Sequence, residues 1–101
     1  MDYLLFEYSE GDDGIGLFEA MVSVAPARAA HVEAEIGQVL AWAEADFPGV
    51  RAPVEAGGEW DADLHVEDEG GPHARRTWTL TVTGSPAFCR AFRERFADAL
   101  A

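Results

Sequence analysis

Two short stretches decide what this chain can fold into. Trp60, Ala62, Leu64 and Val66 alternate with Asp61, Asp63, His65 and Glu67, and Trp78, Leu80 and Val82 alternate with Thr77, Thr79, Thr81 and Thr83. A period of two belongs to a β-strand, whose successive side chains point to opposite faces, and not to a helix of 3.6 residues per turn. Each stretch therefore predicts a strand with one apolar face, and the segment Glu67 to Arg75, containing Gly70-Gly71-Pro72, predicts the loop between them. A sheet that is apolar on one side only needs a covering layer on that side alone.

The first part of the chain repeats the plan. Residues 3 to 9 and 16 to 25 also alternate, with Leu4, Phe6 and Tyr8 on one face of the first and Phe18, Ala20, Val22 and Val24 on the matching face of the second. Glu10-Gly11-Asp12-Asp13-Gly14 lies between them, and Asp-Gly favours the positive φ angles of a tight hairpin turn.

Helices follow both hairpins. Pro26 suits a first helical position, where its missing N–H is no loss, and Ala29, Val32, Ile36, Val39, Leu40, Ala43 and Phe47 recur at helical spacing until Pro48-Gly49. Ser85 is a good N-cap before Pro86, and Phe88, Cys89, Phe92, Phe96, Ala99 and Leu100 form the inward stripe of the second helix. The pattern predicts an α+β fold: a two-layer sandwich of a four-stranded antiparallel sheet with two helices on one face, in the order ββαββα. Trp60 and Trp78 are expected beneath the helices, because they share a face with Leu64 and Leu80. A chain of 101 residues supports one core and not two, so a single domain over residues 1 to 101 is expected. Residues 48 to 58, rich in proline and glycine, exceed the usual connection of about 4 to 6 residues and are the segment expected to move.

Charge narrows the partners. Nineteen acidic residues against seven basic give a formal charge of −12. Such a field repels nucleic acid and anionic membrane, both of which are bound mainly through Lys and Arg. A basic protein partner or a cation is the companion that fits. The opening Met1-Asp2-Tyr3-Leu4-Leu5-Phe6-Glu7 has no basic stretch of the kind that begins a secretory signal, and no run of about 18 uncharged apolar residues occurs anywhere, so a cytoplasmic protein is expected. Cys89 is the one cysteine and cannot form an internal disulfide, which agrees with a reducing compartment. Eighteen alanines, seven arginines and no lysine or asparagine read as the codon bias of a GC-rich bacterial genome.

No catalytic or cofactor motif stands out, and no cofactor is expected. Gly11-x-x-Gly14-x-Gly16 looks like a phosphate loop, but a strand follows it rather than a helix, and two aspartates stand where phosphate would come. His31, His65 and His73 have no metal-ligand spacing. Cys89 sits inside an apolar stripe and reads as a small core residue. The strand face Asp61, Asp63, His65, Glu67 is the weak candidate for binding a ligand or cation. Same-face neighbours lie about 6.5 to 7 Å apart, wide for chelation, and a solvated face that blocks edge-to-edge pairing by charge explains it as well.

The outward side of the first hairpin is less ordinary. Tyr3, Leu5, Leu17 and Met21 are placed by alternation beside Glu7, Glu19 and Ser23, and large apolar groups on an open sheet face suggest a contact surface. Alternatively the loop 48 to 58, with Val50 and Val54, folds back over them. The expectation for function is a small acidic, non-enzymatic protein-interaction module acting through an open, half-apolar sheet face as a homodimer or on a basic partner. The alternative is a small-molecule or cation-binding domain using the sheet face and adjacent loops.

Overall fold

The computed structural model describes residues 1–101. The strands are β1 (Glu7–Glu10), β2 (Gly16–Val24), β3 (Trp60–Glu69) and β4 (Arg75–Gly84), and the helices are α1 (Ala29–Asp46) and α2 (Pro86–Arg95). Single turns of tighter helix lead into α1 at Pro26–Arg28 and follow α2 at Ala97–Ala99. All strand pairs are antiparallel and the sheet order is β1-β2-β4-β3, so each hairpin supplies one central strand and one edge. The expected α+β two-layer arrangement is the one observed.

Register aligns the apolar residues into rows. Val82 of β4 stands between Phe18 and Ala62, Leu80 between Ala20 and Leu64, and Trp78 between Val22 and Val66. The helices close this face with Val32, Ile36, Val39 and Ala43 from α1 and Phe88, Cys89 and Phe92 from α2, all in one buried cluster. Trp60 and Trp78 are both buried, and the Trp60 indole stacks on Phe88 at 5.8 Å between centroids. Trp42, outside the stripe read from sequence, fills the gap between the helices against Phe88, Phe92 and Phe96.

α2 can lie directly on the sheet because a pair of glycines sits beneath it. Gly16 and Gly84 are register partners. A Cβ at Gly84 would stand 2.3 Å from the Phe88 ring, and one at Gly16 would stand 2.4 Å from the Cys89 sulfur. Ser85 caps the helix as expected, its hydroxyl accepting from the Phe88 N–H at 3.2 Å.

Two expectations need correction. The strand expected from residue 3 begins only at Glu7, because the preceding residues find other partners. The Glu35 carboxylate, buried on α1, accepts the backbone N–H groups of Asp2, Tyr3 and Leu4 at 2.9 to 3.2 Å, holding that segment against the helix layer. Phe6, on the side of the chain away from β2, exchanges backbone bonds with Ala99 and Ala101.

The second correction concerns Leu64 and Val66, which face the helix side as expected but remain 43% exposed. The reason is length. α2 has ten residues and spans about 15 Å. β3 also has ten, but spans about 33 Å. α2 therefore covers only the end of the sheet near Trp60 and Gly84. At the far end α1 approaches β4, where Glu33 lies 3.9 Å from Arg76, and Leu64 and Val66 of β3 are left bare. The molecule is correspondingly elongated, 45 × 25 × 24 Å.

Candidate functional site

The outer face of the sheet carries no covering layer. Its rows run Ser9, Leu17, Thr83, Asp61; then Glu7, Glu19, Thr81, Asp63; then Met21, Thr79, His65; then Ser23, Thr77, Glu67. A threonine ladder on β4 thus separates a half-apolar flank on β1 and β2 from an acidic flank on β3. Leu5 (56% exposed) and Met21 (68% exposed) meet Glu7 and Glu19 around an open hollow of about 370 Å3 that Ala101 also borders. Leu17 is half-buried on the same face, one row beyond Glu19.

Tyr3 does not join them. It is drawn to the helix layer with the N–H groups that Glu35 binds, and its ring lies parallel to His31 of α1 at 6.3 Å. The patch that the structure brings together is Leu5 and Met21, with Leu17 on the same face beyond the Glu7–Glu19 row.

The loop 48 to 58 lies at the opposite side of the sheet. Ala52 donates to the Trp60 carbonyl and Glu59 to the Val50 carbonyl, both at 2.9 Å, and Val50 packs on the core. Arg51 bridges Asp61 on β3 and Glu44 on α1 while its guanidinium stands over the Trp60 indole. The loop seals the β3 end of the core and leaves Leu5 and Met21 uncovered.

The acidic flank holds Asp61, Asp63, His65 and Glu67 on one face, as the alternation requires. His65 Nε2 and Glu67 Oε1 are 3.0 Å apart, and Asp61 is engaged by Arg51 and by the Ala62 N–H. A shallow hollow of about 180 Å3 borders Asp61, Asp63, Thr81 and Thr83. No three His, Cys, Asp or Glu side chains are grouped to hold a metal ion.

Elsewhere the polar groups have structural partners. A hollow of about 380 Å3 near Met1, Gln38, Arg95 and Asp98 includes Glu35, whose oxygens already receive the N–H groups of residues 2 to 4. Cys89 is buried, and loss of solvent pushes its thiol up from the ordinary cysteine value. Burial likewise raises Tyr8. On the helix side of the β3–β4 hairpin, Arg76 grips Asp68 at 2.6 Å and holds that carboxyl below the ordinary range. Glu33 of α1 approaches the same arginine at 3.9 Å.

Sequence reasoning missed Glu35 and Arg51, whose partners lie 31 to 33 and 10 residues away; no local pattern announces a carboxylate reserved for distant N–H groups. No helix is long and apolar enough to cross a membrane. No protein-family model, curated protein or solved structure matches the chain.

Proposed function

We propose that this chain is a non-enzymatic protein-interaction module whose open sheet face docks a basic protein partner. One observation carries the reading: the uncovered outer face joins exposed Leu5 and Met21 to a surface whose charged groups on β1, β2 and β3 are carboxylates, namely Glu7, Glu19, Asp61, Asp63 and Glu67. Apolar groups with a polar rim supply an interface centre, and rim charges select the partner by sign. The arginines of α2 (Arg90, Arg93, Arg95) belong to the helix layer, and Arg75, the basic residue at the hairpin end of the outer face, is taken up by the hydroxyl and carbonyl of Ser23, so the carboxylates outnumber it on that face. A second copy docking the same face would bring Glu7 and Glu19 against their own counterparts, so a basic partner is the better occupant.

Titration with a basic peptide containing leucine and arginine, followed by amide chemical shifts, tests this. Shifts should centre on Leu5, Leu17 and Met21, and Glu7→Arg with Glu19→Arg should weaken binding by about tenfold or more while leaving the protein folded. Shifts confined to the helix layer would contradict the reading. So would a stable homodimer through this face in sedimentation at low ionic strength.

A further inference from the structure

The free edge of β3 changes character part-way along. Paired residues of β3 alternate in direction, so the backbone groups of Trp60, Ala62, Leu64, Val66 and Asp68 point away from β4. The first of these are blocked from within. The Trp60 carbonyl accepts from Ala52, the Ala62 carbonyl accepts from the Arg51 guanidinium at 3.3 Å, and the Ala62 N–H donates to the Asp61 carboxylate at 2.9 Å. Beyond Ala62 the blocking stops. Leu64, Val66 and Asp68 have no backbone partner on that side.

The bare edge has two chemically distinct margins. On the helix side Leu64 and Val66 are exposed at 43% each, the apolar pair that α2 is too short to reach. On the outer side stand Asp63, His65 and Glu67. An unpaired strand edge is a template for another strand, and side chains of an added strand would fall alternately on these two margins. We propose that the β3 edge from Leu64 to Asp68 receives an extended segment of a basic partner as a fifth strand, with apolar residues over Leu64 and Val66 and Lys or Arg over Asp63 and Glu67.

Charge complementarity chooses this occupant over a second copy. Antiparallel self-pairing that set Leu64 opposite Val66 would also set Asp63 opposite Glu67 of the second copy, twice by symmetry, and like charges opposed across a strand pair are destabilising. The carboxylates that repel a second copy attract an alternating basic strand.

The proposal rests on the reading of an acidic module for basic partners but uses a different part of the sheet, so the two can fail separately. The probe is a synthetic peptide of about eight residues alternating valine and lysine, titrated into the whole chain with hydrogen exchange read at single amides. Saturation should slow the amides of Leu64, Val66 and Asp68 by about tenfold or more. N-methylation of the peptide at alternate residues should abolish that protection in one register and spare it in the other. Asp63→Lys with Glu67→Lys should lose the lysine peptide and bind its glutamate counterpart. Protection absent at these amides, or unaffected by either N-methylation, overturns the edge proposal. If the response then centres on Leu5 and Met21, docking on the outer face survives alone; silence at both places sinks both readings.

Discussion

The two edges of the sheet start from similar sequence and end differently. β1 and β3 each open a hairpin, and both alternate apolar with acidic or polar residues. β1 is short, only Glu7–Glu10, and its line continues through Phe6 into backbone bonds with Ala99 and Ala101, while Glu35 takes the N–H groups of residues 2 to 4. β3 runs for ten residues and is blocked only as far as Ala62. The β1 edge is bonded within the chain at Phe6, with Tyr8 and Glu10 left without an outward backbone partner, whereas the β3 edge is bonded only up to Ala62 and runs bare from Leu64 to Asp68. Alternation specifies which way a side chain points but not how far the opposing layer reaches.

The largest effect expected from this contrast is at Phe6, fully buried against Phe92 beside the β1 edge. Phe6→Ala should lower stability by about 3–5 kcal/mol, as ring deletion from a packed core does. Leu64→Ala at the open edge should lose less than about 1.5 kcal/mol, since the side chain is already 43% exposed. Urea denaturation of both variants checks the pair, and equal losses would break the comparison.

Glu35→Ala comes next. It removes the acceptor of the Asp2, Tyr3 and Leu4 N–H groups, and losing charge-assisted hydrogen bonds of this kind costs about 1.5–3 kcal/mol. Exchange should rise at residues 2 to 4 while the β3–β4 ladder keeps its protection. Gly84→Ala probes how α2 comes to lie directly on the sheet. The added methyl meets the Phe88 ring, and overpacking of this sort should destabilise by about 1–3 kcal/mol, visible as a lower thermal midpoint.

Most of the fold was legible because it depends on local periodicity. The alternation of residues 60 to 67 and 77 to 83, the α1 stripe and the Ser85-Pro86 start each act within a few residues. Element lengths were less legible: β1 starts at Glu7 rather than residue 3 and α2 stops at Arg95 although its apolar stripe runs on to Leu100, and the bare end of β3 depends on how α1 and α2 are laid over the sheet, which is a tertiary matter. Tyr3 was misplaced for a related reason: its alternation with Leu5 is real, but the capture of residues 2 to 4 by Glu35 turns that segment away from the sheet. Of the candidate surface, Leu5, Leu17 and Met21 followed from counting along strands, and so did Asp61, Asp63, His65 and Glu67. That the loop 48 to 58 seals the other side rests on Arg51 and Ala52, which no spacing rule singles out.

The smallest expected effect is on pH dependence at the hairpin end. Hydrogen bonding to Arg76 depresses Asp68, so the stabilisation this pair provides is present above the ordinary aspartate pKa of about 3.9 and is lost as pH falls through the lowered folded-state value. The pair is on the surface, so Asp68→Asn should flatten the acid limb of the thermal midpoint only slightly.

Hydrogen exchange of the free protein at single amides tests the central contrast most directly. The amides of Phe6 and Ala101, which donate to Ala99 and Phe6 at 2.7 and 2.8 Å, should be protected, whereas those of Leu64, Val66 and Asp68 should exchange close to the rate of an open chain despite lying within a regular strand. Slow exchange at Leu64, Val66 and Asp68, equal to that at Phe6, would mean that the β3 edge is already paired and would contradict the account.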